Sequence, residues 1–257
     1  MRLGIIGATG WLGSALGKGL LQRGIVAPED LVLINRSRPR GDYHGQSGVV
    51  WAADIVDLVQ KSEVIVVSVR PGDWPGLGLR AEGKLLISFM AGVDFSRLAD
   101  SGGRVVRAMP NAAAEIGASY SPFWAGPGVC EGDKSLVRQV LSAIGTTDEL
   151  ADEHQIDLMT ALPGSGAAYP ALMALAMVEF MRSQGVGEDV AWRATEAAVC
   201  GGARMLMPDI RGAERYLAAY RDYRGTTAAG LAAAEAAGFS ASIAAALQAA
   251  AEAARQL

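Results

Sequence analysis

Short apolar runs alternate with helical patterns through the first 150 residues of the chain. The runs show little hydrophobic–polar alternation, which is typical of strands buried on both faces of a parallel sheet. Helical patterns between such strands predict an α/β domain with a doubly wound, mostly parallel sheet. The predicted strands are Leu3–Gly7, Leu31–Ile34, Val49–Trp51, Glu63–Val69, Leu85–Phe89, Gly103–Met109 and, last, Thr146–Thr147.

The pattern changes near residue 151, where the β-runs end and alanine-rich helical patterns begin. We therefore predict two domains, residues 1–150 and an all-helical domain of residues 151–257. Because such an alanine-rich half builds only a thin core, we expect it to bury apolar surface against a second copy, as a homodimer. The predicted helices are Asp152–Leu162, Ala167–Gln184, Glu188–Met207, Ala213–Tyr220, Thr226–Ala237 and Ser240–Gln256.

Composition narrows the class of protein. The chain has 257 residues, 51% of them hydrophobic, so it can bury a sizeable core. The formal charge of −4 disfavours nucleic acid and anionic membranes as partners. Cys130 and Cys200 imply no disulfide framework, and the isolated His44 and His154 give no metal site.

Targeting signals are not evident in the sequence. No signal-peptide pattern precedes the first strand. The longest apolar segment, Gly166–Val178, contains Pro170 and is too short to span a bilayer. We therefore expect a cytoplasmic protein without a membrane partner.

Three glycines follow the first apolar run at intervals of three residues. Glycines at a strand-to-helix turn let the backbone approach a pyrophosphate, which then sits at the helix N-terminus. The spacing G-x-x-G-x-x-G differs from the usual G-x-G-x-x-G, but its place at the start of a βαβ pattern predicts a Rossmann-type dinucleotide-binding domain. The expected contacts are Gly7, Thr9, Gly10, Trp11, Leu12 and Gly13.

A basic segment, Asn35–Arg40, follows the second strand. Proteins that bind NAD place an acidic residue here for the ribose 2′-hydroxyl. Guanidinium groups and a hydroxyl suit the 2′-phosphate of NADP instead, so we expect NADP(H) to be preferred over NAD(H). The alternative is a solvated basic loop. The residues concerned are Asn35, Arg36, Ser37 and Arg38.

Two blocks in the helical half, Thr160–Tyr169 and Arg224–Thr227, complete a recognisable set with the glycine loop. With Ser68–Pro71 and Met109–Asn111, they resemble the pyrroline-5-carboxylate reductase family, whose corresponding motifs read T-A-L-S-G-S-G-P-A-Y and S-P-G-G-T-T. The resemblance implies an NAD(P)-binding Rossmann domain joined to a helical dimerisation domain. It also implies NADPH-dependent reduction of a cyclic imine, from 1-pyrroline-5-carboxylate to proline.

The resemblance also assigns site residues by position. It implies that Thr227 hydrogen-bonds near the ring nitrogen and that the N–H groups of Gly225 and Thr226 hold the substrate carboxylate. Ser165, with Gly164 and Gly166, would form the opposing turn. The nicotinamide would be flanked by Val69, Arg70, Pro71 and Asn111. The alternative is that these residues only start and cap helices.

The sequence departs from the family pattern where the substrate is expected to bind. Asp222 replaces a serine and Arg224 a glycine, while Pro163 and Ala167 change the opposing turn. Arg224 is expected to pair with Asp222 or to reach the substrate carboxylate. Two alternatives therefore stay open: reduction of a different cyclic imine or related small substrate, and a non-catalytic NADP-binding protein.

Overall fold

A parallel sheet organises the N-terminal part of the chain. The computed structural model describes residues 1–37 and 42–256. Within these residues, seven strands form one sheet in the order β3-β2-β1-β4-β5-β6-β8. They are β1 Leu3–Ile6, β2 Leu31–Ile34, β3 Val50–Trp51, β4 Val64–Val67, β5 Leu85–Ser88, β6 Arg104–Ala108 and β8 Phe123–Ala125.

The register of the sheet places the strand ends together. Leu3 in β1 pairs with both Leu31 in β2 and Val64 in β4, and every pair is parallel except β6 with β8. Strand order reverses between β1 and β4, so the crevice at their carboxyl ends is where a doubly wound sheet binds ligands. The predicted doubly wound sheet is confirmed.

Helices cover both faces of the sheet. They are α1 Trp11–Gln22, α2 Ile55–Lys61, α3 Trp74–Leu77, α4 Phe95–Ala99 and α5 Glu131–Ser142. Ile5 packs in one buried cluster with Leu16 of α1, whereas its neighbour Ile6 packs in a second cluster with Leu58 of α2. Consecutive strand residues point to opposite faces, so these runs are apolar throughout because both faces are buried.

The predicted last strand is found one residue earlier, with Thr146 in it and Thr147 beyond its end. Gly145–Thr146 forms β9, which pairs in parallel with β7, Ser119–Tyr120, in a separate two-stranded sheet. Strands β7 and β8 have only two and three residues, which is too short for a hydrophobic period to appear.

The rest of the chain is helical. The helices are α6 Gln155–Met159, α7 Ala168–Ser183, α8 Glu188–Glu196, α9 Gly202–Leu206, α10 Ala213–Tyr223, α11 Thr226–Ala236 and α12 Phe239–Arg255. Thr160–Gly164 and Ala197–Gly201 form π-helical turns. These turns interrupt the predicted helices Asp152–Leu162 and Glu188–Met207, because their backbone makes i→i+5 hydrogen bonds in place of the α-helical pattern.

The chain divides into two compact units. One comprises Met1–Gly166 with the C-terminal segment from Ala249, and the other comprises Ala167–Gln248. The domain boundary near residue 150 stays a prediction.

One helical run is longer than the apolar segment Gly166–Val178 that the sequence pattern shows. Gln155–Ser183 forms a helical run of 29 residues that is long and apolar enough to cross a membrane by length and composition. Pro170 does not interrupt it, because it lies in the first turn of α7, where a backbone N–H needs no partner within the helix. Two further helices, α11 and α12, pass the same test only as a pair bent by 50°.

Candidate functional site

A cleft of about 1060 Å³ opens at the carboxyl ends of β1, β2, β4 and β5. This volume suits a ligand of cofactor size. The predicted cofactor residues that line it are Gly7, Gly10, Trp11, Leu12, Asn35, Arg36, Val69, Arg70 and Pro71. The structure therefore brings the glycine loop, the described part of the basic segment and the turn after β4 around one space.

The glycine loop has the geometry that requires glycine. Gly7 has a φ of +88°, and a Cβ there would lie 2.2 Å from the carbonyl oxygen of Ser68. A Cβ at Gly13 would lie 2.4 Å from the carbonyl oxygen of Gly7. At Gly10 the corresponding distance is 3.2 Å, so that position is less restricted. Any side chain at Gly7 or Gly13 would displace the loop backbone.

Helix α1 begins directly after this loop. Its N-cap, Gly10, offers no side-chain cap, and its first turn contains no acidic residue. The first N–H groups of a helix lack partners within the helix and attract anions. Trp11 is 64% exposed at this end of the helix. A tight glycine loop followed by an uncapped helix start is typical of anion-binding sites.

The basic segment is described up to Ser37. The Asn35 side-chain amide donates to the Ser37 hydroxyl over 2.7 Å. The Arg36 guanidinium lies 3.7 Å from the Asp73 carboxylate, which follows β4. Arg38, which was also predicted to bind the cofactor, lies outside the described residues. Sequence reasoning missed Asp73, because no spacing rule connects it with Arg36.

Asn111 and the π turn Thr160–Gly164 of the first block lie beyond the carboxyl end of β6. The Asn111 side-chain oxygen accepts from the Ala113 N–H over 3.0 Å and so caps the following turn. A Cβ on Gly164 would lie 3.7 Å from the side chain of Met109, which places the π turn beside this strand end. The Ser165 hydroxyl donates to the Thr160 carbonyl over 3.2 Å. Each side chain thus has a structural partner within the N-terminal unit.

The second block, Arg224–Thr227, belongs to the compact unit Ala167–Gln248. Gly225 is the N-cap of α11, and no side chain caps this helix. Thr226 and Thr227 are exposed in its first turn, as is Asp222 near the end of α10. Arg224 has a φ of 54° and a ψ of 28° at the C-cap of α10, a left-handed conformation that favours glycine.

Sequence reasoning also missed Tyr43. Its hydroxyl donates to the carbonyl of Ala8 over 2.8 Å, within the glycine loop. Tyr43 lies in a stretch between predicted elements, where no periodicity indicates burial. Within the described residues, no cluster of three or more metal-binding side chains is found.

Two family models match the chain, one in each half. The family model described as pyrroline-5-carboxylate reductase dimerisation matches residues 153–257. A model described as NADP oxidoreductase, coenzyme F420-dependent, matches residues 2–92. A pyrroline-5-carboxylate reductase from Methanosarcina acetivorans is 31% identical over 215 residues, which are 80% of this chain and 79% of the relative.

Solved structures of similar proteins share the fold. The 1-pyrroline-5-carboxylate reductase of Streptococcus pyogenes is 27% identical with a TM-score of 0.86, over 100% of this chain and 99% of that one. The Plasmodium falciparum pyrroline carboxylate reductase, solved with NADP bound, is 23% identical with a TM-score of 0.82, over 100% and 97%. The chain belongs to the pyrroline-5-carboxylate reductase family.

Proposed function

We propose that the chain uses NADPH to reduce the C=N bond of 1-pyrroline-5-carboxylate, forming proline. The observation that carries this proposal is the 31% identity to the Methanosarcina acetivorans reductase over 80% of the chain. The cleft at the carboxyl ends of the strands supports it, because its residues suit a dinucleotide.

The residues of the cleft fit NADPH. Gly7 and Gly13 let the loop backbone pack tightly, because a Cβ at either position would collide with a carbonyl oxygen. The N-terminus of α1 would face the pyrophosphate. Arg36, with Ser37, would meet the 2′-phosphate, and Arg38 would add a second guanidinium. When bound, the cofactor would supply the hydride that adds to the imine carbon. On this basis NADP(H) is preferred over NAD(H).

The chain's own residues would bind and orient the imine. A cyclic imine is basic enough to be protonated near neutral pH, so the site requires no strongly acidic side chain. The N–H groups of Gly225 and Thr226 would hold the carboxylate, while the Thr227 hydroxyl would accept from the protonated ring nitrogen. The resemblance to the family also implies a substrate contact from the turn Gly164–Gly166, with the Ser165 hydroxyl.

The test is NADPH oxidation with a panel of cyclic imines. Turnover of 1-pyrroline-5-carboxylate, with proline as the product, supports the proposal. Arg36→Glu combined with Arg38→Glu should weaken NADPH far more than NADH. Equal losses for both cofactors would contradict the 2′-phosphate assignment.

A second candidate is the reduction of a different cyclic imine. Asp222 and Arg224 favour it, because they change the charge and the backbone freedom of the segment that would hold the carboxylate. Turnover of other imines but not of 1-pyrroline-5-carboxylate would support this candidate. Restoring the family pattern with Asp222→Ser and Arg224→Gly should then raise turnover of 1-pyrroline-5-carboxylate. Cofactor binding without any turnover would indicate a non-catalytic binding protein.

The assembly we propose is a homodimer in the cytoplasm, without nucleic-acid or membrane partners. The match of residues 153–257 to a dimerisation domain supports self-association. Free Cys130 and Cys200 suit a reducing compartment.

A further inference from the structure

A buried tyrosine contacts the backbone of the glycine loop. Tyr43 is 4% exposed. Its hydroxyl donates to the Ala8 carbonyl over 2.8 Å and lies 3.3 Å from the Gly13 carbonyl. Burial raises the pKa of this hydroxyl, so it keeps its proton throughout the physiological range. The side chain therefore bridges the two ends of the turn that enters α1.

Helix α1 makes room for this side chain. A Cβ at Gly17 would lie 2.3 Å from the Tyr43 hydroxyl and 2.7 Å from its ring. Glycine inside a helix costs about 1 kcal/mol relative to alanine. The presence of glycine at position 17 is explained by the tyrosine that packs against it.

The turn that contains Tyr43 also contacts helix α1 through the neighbouring residue His44. The Nε2 atom of His44 lies 3.1 Å from the Ser14 hydroxyl of α1. The Tyr43 backbone pairs with Gln46, and its ring meets Trp51 of β3 edge-on with 6.0 Å between centroids. These contacts fix the orientation of the ring.

Ala8 connects this turn with the end of β2. Its N–H donates to the Ile34 carbonyl over 3.2 Å, while its own carbonyl accepts from Tyr43. Arg36 follows Ile34 by two residues, and only five residues separate Ser37 from Tyr43. The chain on either side of the basic segment is therefore held by the peptide groups of one loop residue.

We propose that Tyr43 is a positioning residue that couples the site for the cofactor's 2′-phosphate to the pyrophosphate-binding loop. This inference rests on the proposed use of NADPH. The hydroxyl holds Ala8 in place for the pyrophosphate and holds the chain after the basic segment against it. Loss of the hydroxyl should therefore weaken NADPH more than NADH, because NADH uses only the loop.

The first experiment measures dissociation constants for NADPH and NADH by calorimetry with Tyr43→Phe. Losing one hydrogen bond corresponds to roughly a threefold to tenfold weaker NADPH affinity. We expect a smaller loss for NADH and a kcat at saturating NADPH that changes less than about twofold. Tyr120→Phe is the control, since Tyr120 lies outside the cleft lining. Equal losses for both cofactors, or none, would overturn the proposal.

The second experiment is a double-mutant cycle between Gly17 and Tyr43. Gly17→Ala alone should displace the ring and lower NADPH affinity at least as much as Tyr43→Phe does. Added to Tyr43→Ala, Gly17→Ala should cause no further loss and should raise the melting temperature. Additive losses in affinity would overturn the coupling. Because these readouts measure cofactor binding, a failure to turn over any imine would contradict the proposed reaction without deciding the role of Tyr43.

Discussion

At the scale of single residues, Arg224 combines an unfavourable backbone conformation with a place in the proposed substrate segment. A residue with a Cβ costs roughly 1–2 kcal/mol in the left-handed conformation that Arg224 adopts. Strain of this kind persists where the surroundings or a function require it. Arg224 stands where the family pattern has a glycine, so it adds a guanidinium to this segment.

Replacing Arg224 should separate strain from binding. Arg224→Gly should raise the free energy of unfolding by up to about 1 kcal/mol, because glycine adopts a φ of 54° without a Cβ clash. Arg224→Ala should retain the strain. Both variants should raise the KM for the imine substrate if the guanidinium binds its carboxylate. Denaturant unfolding and steady-state kinetics measure the two effects, and an unchanged KM would exclude this role for the side chain.

Asp73 lines the cleft beside Arg36. The Asp73 carboxylate lies 3.7 Å from the Arg36 guanidinium, and both side chains are at least one-third exposed. Such an exposed pair is weak, with a typical free energy of about 0–1 kcal/mol. A 2′-phosphate must compete with this carboxylate for Arg36.

Asp73→Asn should therefore strengthen NADPH binding modestly, by no more than about fivefold at low salt. NADH binding should change little, and raising the ionic strength should reduce the difference between variant and wild type. Weaker NADPH binding by Asp73→Asn would show that the carboxylate helps to hold the cofactor. Fluorescence titration with both cofactors at two salt concentrations measures this.

At the scale of elements, an ion pair fixes α5 to the start of β6. Arg104 contacts Asp133 with two hydrogen bonds, from Nε over 2.8 Å and from Nη2 over 2.9 Å. The Asp133 side chain is 6% exposed and also accepts from the Cys130 N–H at the start of α5. The hydrogen bonds from Arg104 hold the pKa of Asp133 below its ordinary value of 3.8.

This ion pair should make stability dependent on pH in the acidic range. Because the folded pKa lies below the unfolded one, the stabilisation is complete above about pH 5. It is lost as the pH falls below 3.8 and through the folded pKa. Asp133→Asn should lower the free energy of unfolding at pH 7 by about 2 kcal/mol, and this difference should shrink as the pH falls below 4.

The control is Glu131→Gln in the same helical turn, where the side chain is 79% exposed and pairs with Lys134. It should have little effect at either pH. A cost of Asp133→Asn that stays constant from pH 7 to pH 3 would show that lost packing, and not the charge, is responsible.

Some elements of the fold can be predicted from the sequence and others cannot. Strands such as β4 and helices such as α10 were predicted because their apolar residues are contiguous or at helical spacing. The π turn Thr160–Gly164 was not, since it depends on hydrogen-bond geometry that leaves side-chain order unchanged. The glycine loop was found from spacing. Tyr43 contacts that loop from 35 positions away, and Asp73 contacts Arg36 from 37 positions away, so neither contact shows in the sequence pattern.

At the scale of the whole molecule, α7 presents apolar side chains around most of its circumference. Val178 is the buried residue of this 16-residue helix, while Leu172, Leu175 and Phe180 are more than half exposed. A helix that is hydrophobic on all sides must be covered. An exposed apolar surface of this kind marks a protein or membrane contact. The dimerisation domain matched by residues 153–257 favours a second copy of the chain as the cover.

The oligomeric state in solution distinguishes a second copy of the chain from a membrane as the cover of α7. In buffer without detergent, sedimentation equilibrium should give a dimer for the wild type. Leu172→Glu combined with Leu175→Glu should dissociate it, because burying each leucine contributes roughly 2 kcal/mol and each dimer carries two copies. Ile116→Glu is the control: Ile116 is 81% exposed but belongs to the N-terminal unit. Retained NADPH binding by the double variant would show that the N-terminal unit is still folded.

A wild-type chain that stays in solution only with detergent, or that remains monomeric at every concentration, would contradict the dimer. If the dimer holds, the apolar length of Gln155–Ser183 reflects an interface between two copies and not a membrane span.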